Sequence, residues 1–476
     1  MRSNLMRILA AVSALALSAC AVGPNYVAPT PTAPAAGPFV SGSGAAITVA
    51  PAVEGSWWQL YQDPVLDRLV ADALRANTDL RVATARLERA RASLREVRAD
   101  RTPQIGVGGS AQFGRLPAGQ SLGGGGGGRD NWYVDVGLDV AYEVDLFGRV
   151  SRNVEAARGD VQAAGADLEA ARVAVAAETA RAYADAVSAA ERLAVAERIV
   201  ALLDQSLTLM RKRERAGLNT PLDSARIDAL RNQRQAEIPT ITAERESALF
   251  RLATLTGRAP AELPAEAGLR RSSLRLDQPI PVGDGAALLA RRPDVRAAER
   301  RLASATARIG VATADLYPRV SLGGSVGSSG AGFGNLFGGG PLTWLLGPLL
   351  NWSINQAPAR ARIAGAEAES RVALAQFDGT VLAALEETET ALTTYQRLLE
   401  RRAALESARS AAQVAARITR ARQREGQIDT LDLLDAERTL ADAEADVATA
   451  DAMISRAQVN LFRALGGGWQ TAQSAS

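Results

Sequence analysis

Trp132-Tyr133-Val134-Asp135-Val136-Gly137-Leu138-Asp139-Val140-Ala141-Tyr142-Glu143-Val144-Asp145 alternates without a fault: every even position is apolar, and the odd positions carry Asp135, Asp139, Glu143 and Asp145. A period of two is that of a β-strand, so one face is apolar and the other acidic. Trp132 and Tyr142 stand ten residues apart on the apolar face. At about 3.3 Å per residue and a tilt near 40°, they span roughly 25 Å of height, the spacing of the aromatic girdles of lipid-embedded barrels. A half-buried strand of a soluble domain alternates in the same way, and this strand alone favours that reading. Its neighbours reverse it. Ile105, Val107, Ala111 and Phe113 alternate with Gln104, Ser110 and Gln112, and Val320, Leu322 and Val326 with Arg319, Ser321 and Ser325. Strands are expected at about 103–115, 131–145, 318–328 and 342–355, with glycine-rich tips at 116–130 and 329–342. The fourth contains Trp344 and Trp352, which with Trp132 and Tyr142 are the candidate lipid-interface aromatics. It also contains Pro348, which implies a bulge or a local break in pairing. Four strands cannot close a barrel, and open edges in lipid cost several kcal/mol per unsatisfied group. Bacterial outer-membrane barrels begin at eight strands, so three chains of four, giving twelve, meet the requirement.

Self-comparison extends this reading to the whole chain. Asn77-Thr78-Asp79-Leu80-Arg81 matches Arg292-Pro293-Asp294-Val295-Arg296, and a shift of 215 also carries Pro103 onto Pro318. Further on, Ala216-Gly217 falls on Glu425-Gly426 and Leu222-Asp223 on Leu431-Asp432, at a shift of 209. The difference falls between Pro103 and Gly217, with the Gly123–Gly128 run as its expected place. Two copies of one unit follow, each running helix, two strands, helix, helix. From Arg149 to Arg215 there is no proline and Ala, Arg, Glu and Leu dominate, which predicts one very long helix, with a counterpart from about Ala359 to Arg424. Such a helix is roughly 100 Å long and must pack against others. Gly217 and Gly426 fall where C-terminal caps belong, and Thr220 and Asp429 where the next helices start. The two hairpins return to about Thr256 and Ala464. The expected fold is mixed α and β, mainly α. Its parts are a signal over 1–19, a leader over 20–56, repeat one over 57–256 (hairpin 149–256), an equatorial segment over 257–290, repeat two over 291–465 (hairpin 359–464) and a tail over 466–476.

Composition removes whole classes of function. The chain has no histidine and one cysteine, which excludes Ser-His-Asp and Cys-His nucleophile systems, His-ligated zinc and an intrachain disulfide. With 54 basic against 52 acidic residues, a formal charge of +2 supplies no field to gather nucleic acid. No convergent carboxylate pair stands apart from caps and helix faces, so an envelope glycosidase is disfavoured. No cofactor or metal is expected. The single cysteine has a place of its own. After Arg2 and Arg7 comes an apolar run, Ile8 to Leu17, and then Leu17-Ser18-Ala19-Cys20. This is a secretion signal too short to span a membrane. Its last four residues resemble the bacterial lipobox, whose Cys is acylated and becomes the new N-terminus; an ordinary signal peptide with a chance Cys is the alternative. Ala21 next to Cys20 favours the outer membrane under the Gram-negative sorting rule, and the proline-rich stretch 23–51 reads as an extended leader.

Leu17-Ser18-Ala19-Cys20, Val22-Gly23-Pro24-Asn25-Tyr26, Trp57-Trp58, Asp145-Leu146-Phe147-Gly148-Arg149, Arg291-Arg292-Pro293-Asp294-Val295, Leu316-Tyr317-Pro318, Leu434-Asp435-Ala436-Glu437-Arg438 and Ala464-Leu465-Gly466-Gly467-Gly468-Trp469 stand in one order over nearly the whole mature chain. Together they resemble the outer membrane factor (TolC-type) family, within it the lipid-anchored outer membrane subunits of resistance-nodulation-division efflux systems. Gln356-Ala357-Pro358-Ala359 departs from the family, which usually has a glycine pair and Arg after the last strand. The resemblance implies a homotrimer with a twelve-stranded barrel in outer-membrane lipid and a long helical tunnel in the periplasm. It also implies passive conduction, a periplasmic adaptor as partner and an inner-membrane resistance-nodulation-division pump as energy source. By motif, Leu431 and Asp435 would form the pore constriction, with Asp432 nearby and Arg438 pairing with acidic neighbours. Capping of a helix start is the competing role for Asp432, as for Asp223, whereas Asp435 lies past the capping positions and has Arg226 as its counterpart. Gly217, Leu218, Gly426 and Gln427 would meet the adaptor at the hairpin tips, the glycines being caps first. The rival is the lipid-anchored adaptor itself, which predicts one hairpin flanked by β modules rather than two hairpins and membrane strands.

Overall fold

The computed structural model describes residues 21–44, 46–48, 55–114, 130–218, 220–276, 278–331, 342–428 and 430–467. Cys20, Asp429, most of both glycine-rich tips and the tail after 467 lie outside the described residues. In chain order the main elements are α1 (Pro64–Ala76), α2 (Thr78–Ala99), β1 (Gln104–Gly114), β2 (Asn131–Val144), α3 (Arg149–Arg215), α4 (Pro221–Gln235), α5 (Glu237–Leu255), α6 (Gly285–Arg291), α7 (Pro293–Ala314), β3 (Arg319–Ala331), β4 (Leu342–Asn351), α8 (Ala357–Arg424) and α9 (Thr430–Ala464). Two compact units emerge, one from residues 1–29, 86–165 and 297–378, the other from 30–85, 166–296 and 379–476.

The first unit holds the sheet, ordered β1-β2-β3-β4 and antiparallel throughout. Gln104 pairs with Ala141, and its repeat equivalent Arg319 pairs with Asn351. The offset between copies is therefore 215 on the first strand and 210 on the second, so five of the six residues by which the copies differ lie between the paired strands. The bulge expected at Pro348 is absent: β4 runs in unbroken register against β3, with Pro348 opposite Leu322. β4 has a neighbour on one side only in this chain, so only alternate N–H groups of the strand enter the ladder, and this is where a proline is tolerated. Asp145 accepts from the N–H groups of Val150 (2.9 Å) and Ser151 (2.8 Å) and so caps α3, while Asn355 accepts from Ala357 N–H (3.2 Å) at the start of α8. The second copy thus passes from strand to helix through a connection of different length and other residues. Pro358, in the first turn of α8, fits because N–H groups there have no helical partner.

The second unit has its core around Trp57, which is 1% exposed and stacks on Phe462 with centroids 4.7 Å apart. Leu66, Leu69 and Val70 of α1, Tyr183 of α3, Leu392 and Tyr395 of α8, Ile454 of α9 and Leu274, Leu276, Ile280 and Val282 of the equatorial segment belong to it. The leader takes part: Ile47 pairs with Ile280 in a short parallel ladder. Helices α3 and α8 reach 67 and 68 residues, as their composition predicts. The two returning helices differ. The second is continuous over 35 residues, but the first breaks at Ala236 between α4 and α5. Pro239 supplies the cause, since it has no N–H for the Gln235 carbonyl and its ring presses on that carbonyl; the equivalent position in copy two is Ala448.

One junction shows why the repeat survives in such different sequence. Asn77 Nδ2 donates to Leu255 O (3.1 Å) at the end of α5, and Arg292 Nη1 donates to Ala464 O (2.9 Å) at the end of α9. Both returning helices close through a left-handed glycine, Gly257 (φ 68°) and Gly466 (φ 82°). An amide and a guanidinium perform the same C-terminal capping task at matched positions.

Candidate functional site

The sheet presents one face with little cover, Val134 (6% exposed) being its buried residue. Val107 (79% exposed), Phe113, Trp132, Leu138, Val326, Trp344 (74%) and Leu346 (74%) all lie on it. A contiguous apolar surface of this kind suits lipid rather than water. Phe113 packs on Trp132 at 5.6 Å, directly across the first hairpin. Asp135, Asp139, Ser325 and Thr343 occupy the opposite face, although Leu345 and Leu349 also point that way, so β4 is apolar on both sides. The four aromatics of the sequence reading do not share one level. Trp344 sits in the register row of Leu138, six residues along β2 from the row of Trp132, and Trp352 falls one residue past β4, its indole N–H donating to Leu316 O (3.1 Å). Tyr142 is half-buried opposite Leu322. At the foot of the sheet the sequence reading overlooked a pair: Phe147 and Tyr317 stack at 4.5 Å and 16°. The self-comparison gave no signal for it, because these residues are not repeat equivalents.

Both hairpin tips close by the same motif. Leu218 N–H donates to Arg213 O (2.9 Å) and Gly217 N–H to Glu214 O (2.9 Å); at the second tip Gln427 N–H donates to Arg422 O (2.9 Å) and Gly426 N–H to Gln423 O (3.1 Å). Gly217 and Gly426 each have φ 71°, a left-handed conformation that glycine adopts without strain. Thr220 starts α4, with its N–H (3.0 Å) and hydroxyl (2.8 Å) donating to Asp223, which places Asp223 in the capping role. Leu218 and Gln427 are exposed at the tips.

In α9, Leu431, Asp432, Asp435 and Arg438 are all exposed, and Leu431, Asp435 and Arg438 follow helical spacing on one face. The opposite face is spent on packing. Leu433 meets Leu207, Met210 and Ile227, while Leu440 meets Ala412 and Ala416. Glu437 is held by Arg420, whose guanidinium is raised above its ordinary value by that hydrogen bond, against burial. Arg438 stands 3.9 Å from Asp442, which also pairs with Arg234. The face carrying Leu431 and Asp435 is thus uncovered among the described residues, and its backing comes from both hairpins.

The model of the family described as outer membrane efflux protein matches residues 69–258 and 286–467, one match to each copy of the repeat. The chain belongs to the outer membrane efflux protein family. It is 34% identical to outer membrane protein OprJ of Pseudomonas aeruginosa, with 100% of this chain and 98% of that one covered. Among solved structures it is similar to the outer-membrane channel OprN, with a TM-score of 0.88 at 38% identity, covering 95% of this chain and 100% of that one. The open state of the Neisseria gonorrhoeae MtrE outer membrane channel superposes with a TM-score of 0.80 at 30% identity, covering 94% and 98%. The chain is accordingly an outer-membrane channel component of efflux systems and not the adaptor. As a member of a channel family it conducts rather than catalyses. Among the described residues no helix is long and apolar enough to cross a membrane.

Proposed function

We propose that three copies of the chain close into a twelve-stranded barrel in the outer membrane, continued by a periplasmic helical tunnel, and that this trimer is the passive exit duct of a tripartite efflux system. The observation that carries this is the sheet itself: among the described residues, four strands, two edges at β1 and β4 without a partner strand, and a largely uncovered apolar face. Such a sheet is stable in lipid only when other copies pair its edges. A periplasmic adaptor would seat on the tips at Gly217, Leu218, Gly426 and Gln427, and a resistance-nodulation-division pump of the inner membrane would supply the energy. Acylation of Cys20 would anchor each copy. Leu431 and Asp435, with Asp432 and Arg438 beside them, would narrow the periplasmic end. Their exposure on a face the protomer leaves free supports this assignment. Three inward carboxylates form a ring that favours cations. The purified protein in planar bilayers tests the reading: it should conduct, and Asp435→Ala should raise single-channel conductance and lower cation preference. Absence of any channel activity would reject the duct, and an unchanged Asp435→Ala channel would remove that residue from the constriction.

A further inference from the structure

The motif Val22-Gly23-Pro24-Asn25-Tyr26 has no part in the strands or hairpins, yet the first unit builds a binding place for it. Arg152 of α3, with a side chain only 5% exposed, donates from Nε to Val22 O (3.2 Å) and from Nη2 to Gly23 O (3.4 Å) and Asn25 Oδ1 (2.7 Å). Its remaining Nη1 is fixed by Glu155 (2.9 Å). Val22 N–H donates to Phe147 O (3.2 Å), and Tyr26 Oη–H donates to Glu299 Oε1 (2.6 Å) with the Arg300 guanidinium 5.9 Å from its ring centre. Glycines on three separate segments make room for the approach. A Cβ on Gly23 (φ 90°) would lie 2.4 Å from Gly310 Cα, one on Gly310 would lie 2.9 Å from Val22 O, and one on Gly148 (φ 76°) would lie 2.5 Å from Ala21 Cβ. A leader serving only as a slack tether would need none of this, because a proline-rich chain in water satisfies its own polar groups.

We infer that Ala21–Tyr26 occupy a fixed seat, clamped by Arg152, that delivers the N-terminal end of the mature chain, and with it the acyl chains of Cys20, to the foot of the sheet beside Phe147 and Gly148. The step rests on the lipid-anchor reading of Cys20. Ala21, the first described residue, lies against Gly148, on which a Cβ would come 2.5 Å from Ala21 Cβ, so acyl chains carried ahead of it would enter there. That is four positions past the end of β2 and at the level of the stacked Phe147–Tyr317 pair. The anchor therefore enters the bilayer where the lipid-facing strands leave it. Sheet and lipid form one rigid unit, and the depth of the strands is set by the anchor. Arg152 acts as a positioning residue for the membrane contact.

Hydrogen exchange of the full-length protein in detergent, read together with the mass of its N-terminal peptide, tests this. The diacylated or triacylated mass is expected at Cys20, with a slowly exchanging Val22 amide. Gly310→Ala should keep that mass and speed Val22 exchange by about tenfold or more through local opening. The amides of α7 should stay protected, since Ala is the better helix former and disturbs only the seat. Arg152→Gln should have the same effect on Val22. Fast Val22 exchange in the acylated wild-type protein, or unchanged exchange in both variants, would overturn the seat. Slow exchange with an unmodified Cys20 would instead overturn the anchor reading, and the assigned role toward lipid with it.

Discussion

Gly426→Ala separates a capping role from a docking role at the second hairpin tip. Gly426 holds φ 71°, and a Cβ built on it meets nothing within 4 Å, so the substitution adds no collision. Its whole cost is the left-handed backbone of an L-residue, about 1–2 kcal/mol. That raises the local opening equilibrium by about 5–30-fold. The reporter is the Gln427 amide, which donates to Arg422 O at 2.9 Å only while the cap is closed. Its hydrogen-exchange protection should fall by that factor in Gly426→Ala. In Gly426→Asn protection should largely persist, because Asn adopts this conformation at lower cost. The same split is expected at Gly217, with Leu218 as reporter. Adaptor binding then distinguishes the roles: if the cap presents the tip, Ala weakens capture and Asn spares it, whereas a contact made by the bare glycine surface is lost in both. Unchanged protection in Gly426→Ala, or equal loosening by Ala and Asn, would refute the reasoning.

Pro239→Ala should restore the N–H that Gln235 O lacks and join α4 to α5, adding about 0.5–1.5 kcal/mol and exchange protection around residue 239; a persistent break would assign it to packing. Asp63 is 4% exposed, and although burial alone would raise its carboxyl, hydrogen bonds from Tyr183 (2.9 Å), the Leu66 and Val65 N–H groups and Arg270 (2.8 Å) hold it below the usual range. A depressed carboxylate stabilises the fold above its unfolded pKa, about 3.9, and that contribution is lost as pH falls through the folded value. Asp63→Asn should therefore cost about 1.5–3 kcal/mol at neutral pH and flatten the loss of thermal stability below about pH 4. A pH–stability curve parallel to that of the wild type would contradict the assignment.

The long elements were legible because their signals are local. The period of two from Trp132 and the proline-free run from Arg149 state their structure residue by residue, and both elements lie within two residues of expectation. Pro239 carries an equally local signal for a break in the first return, at a position where the second copy has Ala448. Pro348 failed as a predictor for the opposite reason: whether a proline disrupts a strand depends on which edge is free, a property of the sheet rather than of the strand. The shared task of Asn77 and Arg292 is likewise invisible in sequence, since their carbonyl partners lie 178 and 172 residues away. The leader reads as merely extended because Arg152, Gly310 and Ile280, which hold it, are scattered through both copies and the segment between them. Leu431 and Asp435 are exposed on α9, and nothing in their local sequence separates a solvated helix face from a pore lining.

Native mass spectrometry of the detergent-extracted protein bears most directly on the claim that the sheet is one third of a barrel. Particles of three chains are expected, persisting at concentrations where a weak complex would dissociate. A protein that leaves the membrane as a single folded chain, its four strands intact and its apolar face still turned to detergent, would contradict the account.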